Sequence, residues 1–158
     1  MPKYLTLEQS IALLNSVEGN DKIRDYCILT IFLNCGLRVA ELVSLDIGDV
    51  NFDEETMVVT GKGSKQRKIY LNRACINAIR EYLKIRPHDG VIDRNALFLS
   101  RLKKRMGIRA VQNMVYKYLD KIGLDGSGYS VHKLRHTAAT LMYQQGDVDI
   151  LILKNILG

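Results

Sequence analysis

The chain has 158 residues, 47% of them hydrophobic and 25% charged, with only two prolines. That is enough for one domain with a sizeable core, and it excludes a low-complexity or disordered polymer. A formal net charge of +6 favours a polyanionic partner such as nucleic acid or an acidic membrane surface, although a mildly basic soluble protein carries a similar excess.

The first helix is announced by Thr6 and Gln9, a capping-box pair, followed by Ile11, Leu14 and Val17 at helical spacing. Gly19-Asn20-Asp21 breaks it. Residues 22–35 follow as a helix that is apolar on nearly all sides, the pattern of a buried central element, and Gly36 stands where a helix end wants a left-handed residue. Residues 37–43 read as a short third helix with Arg38 and Glu41 three apart on one face. The β-branched stretch 56–60 and the segment 68–71 predict two strands joined by a turn over 61–66, with a third strand near 49–52. Residues 72–86 predict a helix with Ile76, Ile79 and Leu83 inside, ended by Pro87-His88-Asp89-Gly90. A short apolar segment at 96–99 leads into the basic run 101–105. Residues 111–122 predict a helix packed through Met114, Val115, Tyr118 and Leu119, and 123–128 a loop. The last helix spans 131–145, with Val131, Leu134, Ala138, Leu141 and Met142 on its core side. The expected fold class is α+β and mostly helical, with helices around a small antiparallel hairpin or three-stranded sheet.

Three cysteines, Cys27, Cys35 and Cys75, form no C-x-x-C pair. They suit a reducing compartment and small buried side chains better than a disulfide frame or a zinc site. No leading signal pattern and no long apolar run stand in the sequence, so the expected location is cytoplasmic, without a membrane.

Several segments carry chemistry. On the last helix His132, Arg135 and His136 fall at i, i+3 and i+4, stacked over one another. Positive or potentially positive neighbours destabilise a helix unless an anion lies among them. The histidine spacing would also suit a metal, but Arg135 between them and the lack of a nearby carboxylate count against one. Arg38 follows the end of a helix, flanked by apolar Leu37 and Val39, which suits a planar bidentate donor aimed at a ligand. A surface pair with Glu41 is the plainer reading of that segment alone. Lys62 lies between Gly61 and Gly63 at a hairpin tip, with Lys65, Arg67 and Lys68 close behind. The tip can reach into a groove, or its charges can simply guard a sheet edge against aggregation. Arg101, Lys103, Lys104 and Arg105 are suited to non-specific phosphate contacts, or form a solvated surface.

Together these segments resemble the tyrosine recombinases, the phage- and transposon-type integrases and Xer-type recombinases. Cys35-Gly36-Leu37-Arg38-Val39-Ala40-Glu41-Leu42 resembles that family's first arginine box, and Gly61-Lys62-Gly63-Ser64-Lys65-Gln66-Arg67 its β-hairpin lysine segment. Val131-His132-Lys133-Leu134-Arg135-His136-Thr137 resembles its H-x-x-R box, and Ile156-Leu157-Gly158 the lead-in to its next histidine. Order and approximate spacing agree over essentially the whole chain.

The resemblance implies a phosphoryl-transfer site acting on double-stranded DNA. Arg38 and Arg135 would clamp the non-bridging oxygens of the scissile phosphate. Lys62 would protonate the departing 5′ oxygen, and His132 would hydrogen-bond the phosphate or accept the nucleophile's proton. Glu41 would orient Arg38 or a neighbour, and His136 would support the site. Lys65, Arg67, Lys68, Arg101, Lys103, Lys104 and Arg105 would contact DNA. A tyrosine would attack to give a 3′-phosphotyrosyl link, with no metal or other cofactor, in a protein that assembles as a tetramer on DNA. Of the eight tyrosines neither Tyr129 nor Tyr143 is assigned that role, and Tyr118 is no better placed. The expectation is therefore a catalytic domain over 1–158 that stops before its nucleophile and lacks the N-terminal core-binding domain. Such a fragment would bind DNA weakly and be inactive by itself. A non-catalytic DNA-binding module and a type IB topoisomerase-like relaxer are the alternatives.

Overall fold

The computed structural model describes residues 4–124 and 128–145, the side chains at 139 and 141–145 excepted. The helices are α1 (Leu7–Asn15), α2 (Lys22–Cys35), α3 (Val39–Val43), α4 (Arg73–Ile85), α5 (Ile108–Lys121) and α6 (Val131–Gln145). The strands β1 (Val50–Asn51), β2 (Thr56–Thr60) and β3 (Gln66–Tyr70) form an antiparallel sheet in the order β1-β2-β3. The mostly helical α+β architecture expected of the sequence is the one found.

Helix α2 is the axis of the molecule. Every residue from Asp25 to Asn34 is buried, and α1, α4 and α6 all pack against it. An element covered on all sides has no polar face, which is why its sequence is apolar all round. Each of its large aliphatic and aromatic side chains contributes about 2 kcal/mol by leaving water. Its one buried carboxylate, Asp25, accepts hydrogen bonds from the Tyr118 hydroxyl (2.7 Å) and from Arg24. Burial pushes the Asp25 carboxyl above its ordinary value, against those two donors. The Tyr118 phenol is raised as well, by its own burial and by the carboxylate beside it.

Local signals set most boundaries. Thr6 caps α1 by accepting from the Gln9 N–H at 3.1 Å, and the Gln9 side chain returns a bond to the Thr6 N–H at 2.9 Å. Gly36 closes α2 at φ 66°, its N–H donating to the Phe32 carbonyl. Asn72 lies outside α4 as its cap, accepting from the Cys75 N–H at 3.0 Å, so the helix starts one residue later than predicted.

Four expectations are corrected. Strand β3 runs over Gln66–Tyr70 instead of 68–71, because Thr60 pairs with Gln66 and the loop closes within 61–65. A solvent-facing edge strand of polar residues lacks the alternation that marks a half-buried one. Helix α5 begins at Ile108 instead of 111, with Gly107 extended before it. Arg38 precedes α3 instead of sharing its face with Glu41. Arg86, read as helical, leaves α4 and turns inward; only 4% exposed, it donates to the carbonyls of Arg94, Ala96 and Leu97.

In α6, Val131, Leu134 and Ala138 are buried as predicted. Leu141, Met142 and Tyr143 have side chains outside the described residues, as does the whole of the Ile156-Leu157-Gly158 segment. The start of the chain is fastened to α6 where the Leu5 N–H donates to Thr137 Oγ1 at 2.8 Å.

Candidate active site

The site begins at the exit from α2. Gly36 turns the chain through a left-handed conformation, Leu37 is fully buried, and Arg38, next in line, is exposed. The buried leucine fixes the backbone, so the guanidinium leaves from a rigid anchor. From the other side α6 brings Arg135, whose Nε–H donates to the Gly36 carbonyl at 2.9 Å. The same elbow therefore carries one arginine and holds the other.

Arg38, His132 and Arg135 line one cavity of about 420 Å³. Lys62 lies in an adjoining cavity of about 620 Å³, whose wall includes Arg38, Glu41 and Gly61. Arg38 thus borders both. His136 lines neither cavity; its ring centroid is 6.0 Å from that of His132.

The hairpin is attached to this site by a buried charge. Glu41, 2% exposed, accepts from the backbone N–H of Arg38 at 2.9 Å. Its carboxylate also takes both terminal nitrogens of Arg67 from β3. Burial alone would raise the Glu41 carboxyl, but the Arg67 guanidinium and the Arg38 N–H outweigh it and hold it below the ordinary value. Gly61 makes room for this contact, since a Cβ there would lie 3.2 Å from Glu41 Oε2. The loop between the strands is closed by the Gly61 N–H donating to the Lys65 carbonyl at 2.7 Å, with Gly63 and Ser64 both at positive φ. The surface pair considered for Arg38 and Glu41 is not formed: the carboxylate is buried and its guanidinium partner is Arg67.

Other predicted cations are occupied within the chain. Arg105 donates to the carbonyls of Val43 and Leu45, each at 2.9 Å, and pairs with Asp46. Lys103 donates to the Asp89 carbonyl at 2.7 Å, and Arg101 pairs with Asp21 at 3.1 Å. Exposure alternates along the run at 101–105: Arg101, Leu102 and Lys104 are exposed, Lys103 and Arg105 half-buried. Lys68 makes a long contact with Glu54 at 3.9 Å, while Lys65 is exposed beside the loop. Among the described residues no group of three or more His, Cys, Asp or Glu is placed to hold a metal ion.

Two guanidiniums and an imidazole around one opening, with a lysine beside it, supply donors on several sides of a tetrahedral anion. The family model described as phage integrase matches residues 3–158. The chain belongs to the phage integrase family. It is 57% identical over 157 residues to tyrosine recombinase XerC of Caldanaerobacter subterraneus subsp. tengcongensis, covering 99% of this chain and 44% of that protein. Tyrosine recombinase XerC of Psychromonas ingrahamii is 35% identical, with 100% of this chain and 52% of that protein covered. The chain thus spans about half the length of the curated relatives it matches. Among solved structures it is similar to XerA recombinase (TM-score 0.81, 28% identity, 98% of this chain and 56% of that one). It is also similar to XerH site-specific recombinase bound to a palindromic difH substrate (TM-score 0.78, 25% identity, 96% and 45%).

Sequence reasoning missed Gln112 and Tyr116, which this phage integrase domain presents from α5 to the cavity holding Arg38 and Arg135. The available signal was weak: a half-exposed tyrosine on the polar side of an amphipathic helix. The second missed feature was the partner of Arg67, and nothing local to β3 could have shown it.

Proposed function

We propose that this domain carries the phosphate-activating half of a site-specific DNA recombinase, which cuts and rejoins strands through a 3′-phosphotyrosyl intermediate. The observation that carries the reading is the shared cavity of Arg38, His132 and Arg135, with Lys62 across Arg38 on the hairpin. Membership of the phage integrase family and the likeness to XerC proteins support the reaction class. In this reading Arg38 and Arg135 neutralise the charge that grows on the non-bridging oxygens in the transition state. His132 donates to the phosphate or takes the attacking hydroxyl's proton, and Lys62 delivers a proton to the departing 5′ oxygen. Glu41 orients the elbow and the hairpin through Arg38 N–H and Arg67, and His136 supports α6 from outside the cavity. The nucleophile is assigned to none of Tyr118, Tyr129 or Tyr143; the Tyr118 hydroxyl is engaged with buried Asp25. Lys65, Lys68, Arg101 and Lys104, all exposed, are the candidates for backbone contacts to duplex DNA. Assembly as a tetramer on DNA and a cytoplasmic location belong to the same proposal, and rest on the family alone.

The test is covalent trapping on a suicide substrate, using a protein of its relatives' length that contains this domain. A protein–DNA adduct is expected, and Arg38→Ala or Arg135→Ala should reduce its rate at least 100-fold with unchanged circular dichroism. An undiminished adduct in either variant would remove the phosphate-clamp assignment. Failure of the parent protein to form any adduct would favour a non-catalytic DNA-binding module.

A further inference from the structure

Outside the arginine cavity, one pair of nucleophilic side chains remains unused by the chemistry above. Cys35, the last residue of α2, and Cys75, in the first turn of α4, have their sulfurs 3.7 Å apart. The two helices are pinned together at this level, because Asn72 Nδ2 donates to Asn34 Oδ1 at 2.8 Å while Asn72 Oδ1 caps the Cys75 N–H. The residues just before Cys35 and just before α4 are thus bonded to each other, which keeps the two thiols opposed. Cys75 Sγ also lies 4.0 Å from the Thr30 carbonyl, one turn back along α2.

We propose that Cys35 and Cys75 form a reversible intramolecular disulfide when the protein meets a low-molecular-weight disulfide, making this pair a redox modification site. Burial assigns the order of events. Cys35 is half-buried and reachable from solvent, whereas Cys75 is buried. The Cys35 thiolate attacks one sulfur of the reagent, forming a mixed disulfide and expelling one reagent thiolate. The Cys75 thiolate then attacks Cys35 Sγ and expels the second. Two electrons pass from the protein thiols to the reagent, and the two thiol protons end on the two expelled thiolates. The sulfurs must close from 3.7 Å to about 2.0 Å, a movement within reach of side-chain rotation and a small shift of the α2 end. The bond would fasten the residue immediately before Gly36, whose carbonyl holds Arg135, to the start of α4. Cys27 provides an internal control: it is fully buried, and burial pushes its thiol far above the ordinary range. The proposal does not depend on the recombinase reading.

The experiment incubates the 158-residue chain with oxidised glutathione, followed by denaturing alkylation and peptide mapping. Three alkylated cysteines are expected in the reduced chain. After oxidation only Cys27 should be alkylated, with a Cys35–Cys75 linked peptide that dithiothreitol dissolves. The Cys27→Ser variant should form the same link, and Cys75→Ser should stop at a glutathione adduct on Cys35. A native chain that retains three alkylatable thiols, or that accumulates glutathione on Cys35 while Cys75 stays alkylatable, would overturn the proposal without recourse to any variant.

Discussion

Glu41 shows how much of this site one side chain organises. Its carboxylate is almost fully buried, yet it is charged, because the Arg38 N–H and the Arg67 guanidinium replace the water it lost. Removing its charge should leave Arg67 without its counter-ion and loosen the hairpin from the elbow. Glu41→Gln is expected to cost about 2 kcal/mol at neutral pH, moderated because Arg67 can turn to solvent. The pH dependence has a definite sign. The folded carboxyl titrates below its ordinary value of 4.5, so its stabilisation is fully present above that pH and fades as pH falls through the lower folded value. Urea midpoints of parent and variant should therefore differ at pH 7 and converge in acid. A gap that stays constant down to the acid limit would mean that the charge is not what Glu41 contributes. Lys62 should keep its place in the parent but lose it in the variant, a change that cross-saturation between the hairpin and α3 would register.

At the level of elements, the exit from α2 fixes the site more than any single cation does. Gly36 holds a left-handed conformation that an L side chain adopts only at a cost of about 1–2 kcal/mol. An added Cβ would meet Ala138 Cβ at 3.5 Å and the Arg135 carbonyl at 3.6 Å, which is ordinary contact. Gly36→Ala should thus lower stability by the backbone term, about 1 kcal/mol or slightly more. Gly48→Ala, where nothing lies within 4 Å of the new Cβ, should change it by less than about 0.5 kcal/mol. Equal losses at both positions would show that the elbow's left-handed turn is not under constraint. This elbow was legible in the sequence: an all-apolar helix, a glycine at its end, then an arginine between apolar neighbours. The capping box at Thr6, the periodic face of α4 and, over Val131, Leu134 and Ala138, that of α6 were legible for the same reason, since each is a signal local to its own segment. β3 was misplaced by two residues because Gln66 and Arg67 are strand residues whose side chains face water and Glu41. The start of α5 was missed because Ile108, Arg109 and Ala110 are exposed and add nothing to its apolar stripe.

Across the whole molecule, the net charge of +6 favours a polyanion in sign, yet it overstates how many cations are available to one. Arg86 is sealed inside against carbonyls, Arg24 is paired with buried Asp25, and Arg67 closes the hairpin. No pattern in the basic letters themselves marks these pairings, so a run of them cannot be separated into phosphate contacts and internal clamps without the fold. The stretch from Arg101 to Arg105 makes the difference measurable. Arg105 ties the segment after α3 to the loop before α5: its guanidinium holds the Val43 and Leu45 carbonyls, and its own N–H donates to Asp93 at 2.7 Å. Arg105→Ala removes the donor to the Val43 carbonyl and to Asp46, while the Leu45 carbonyl keeps the Leu97 N–H, and should cost about 2 kcal/mol of stability. Its effect on duplex DNA affinity, compared at equal folded fraction, should be small. Lys104→Ala, at an exposed position, should do the reverse: a urea midpoint within error of the parent, and DNA binding that is weaker at low salt with a salt slope reduced by about one phosphate contact. If Arg105→Ala instead left the midpoint unchanged and flattened the salt dependence, the clamp would be incidental and the run would be the phosphate-contact stripe that its letters suggest.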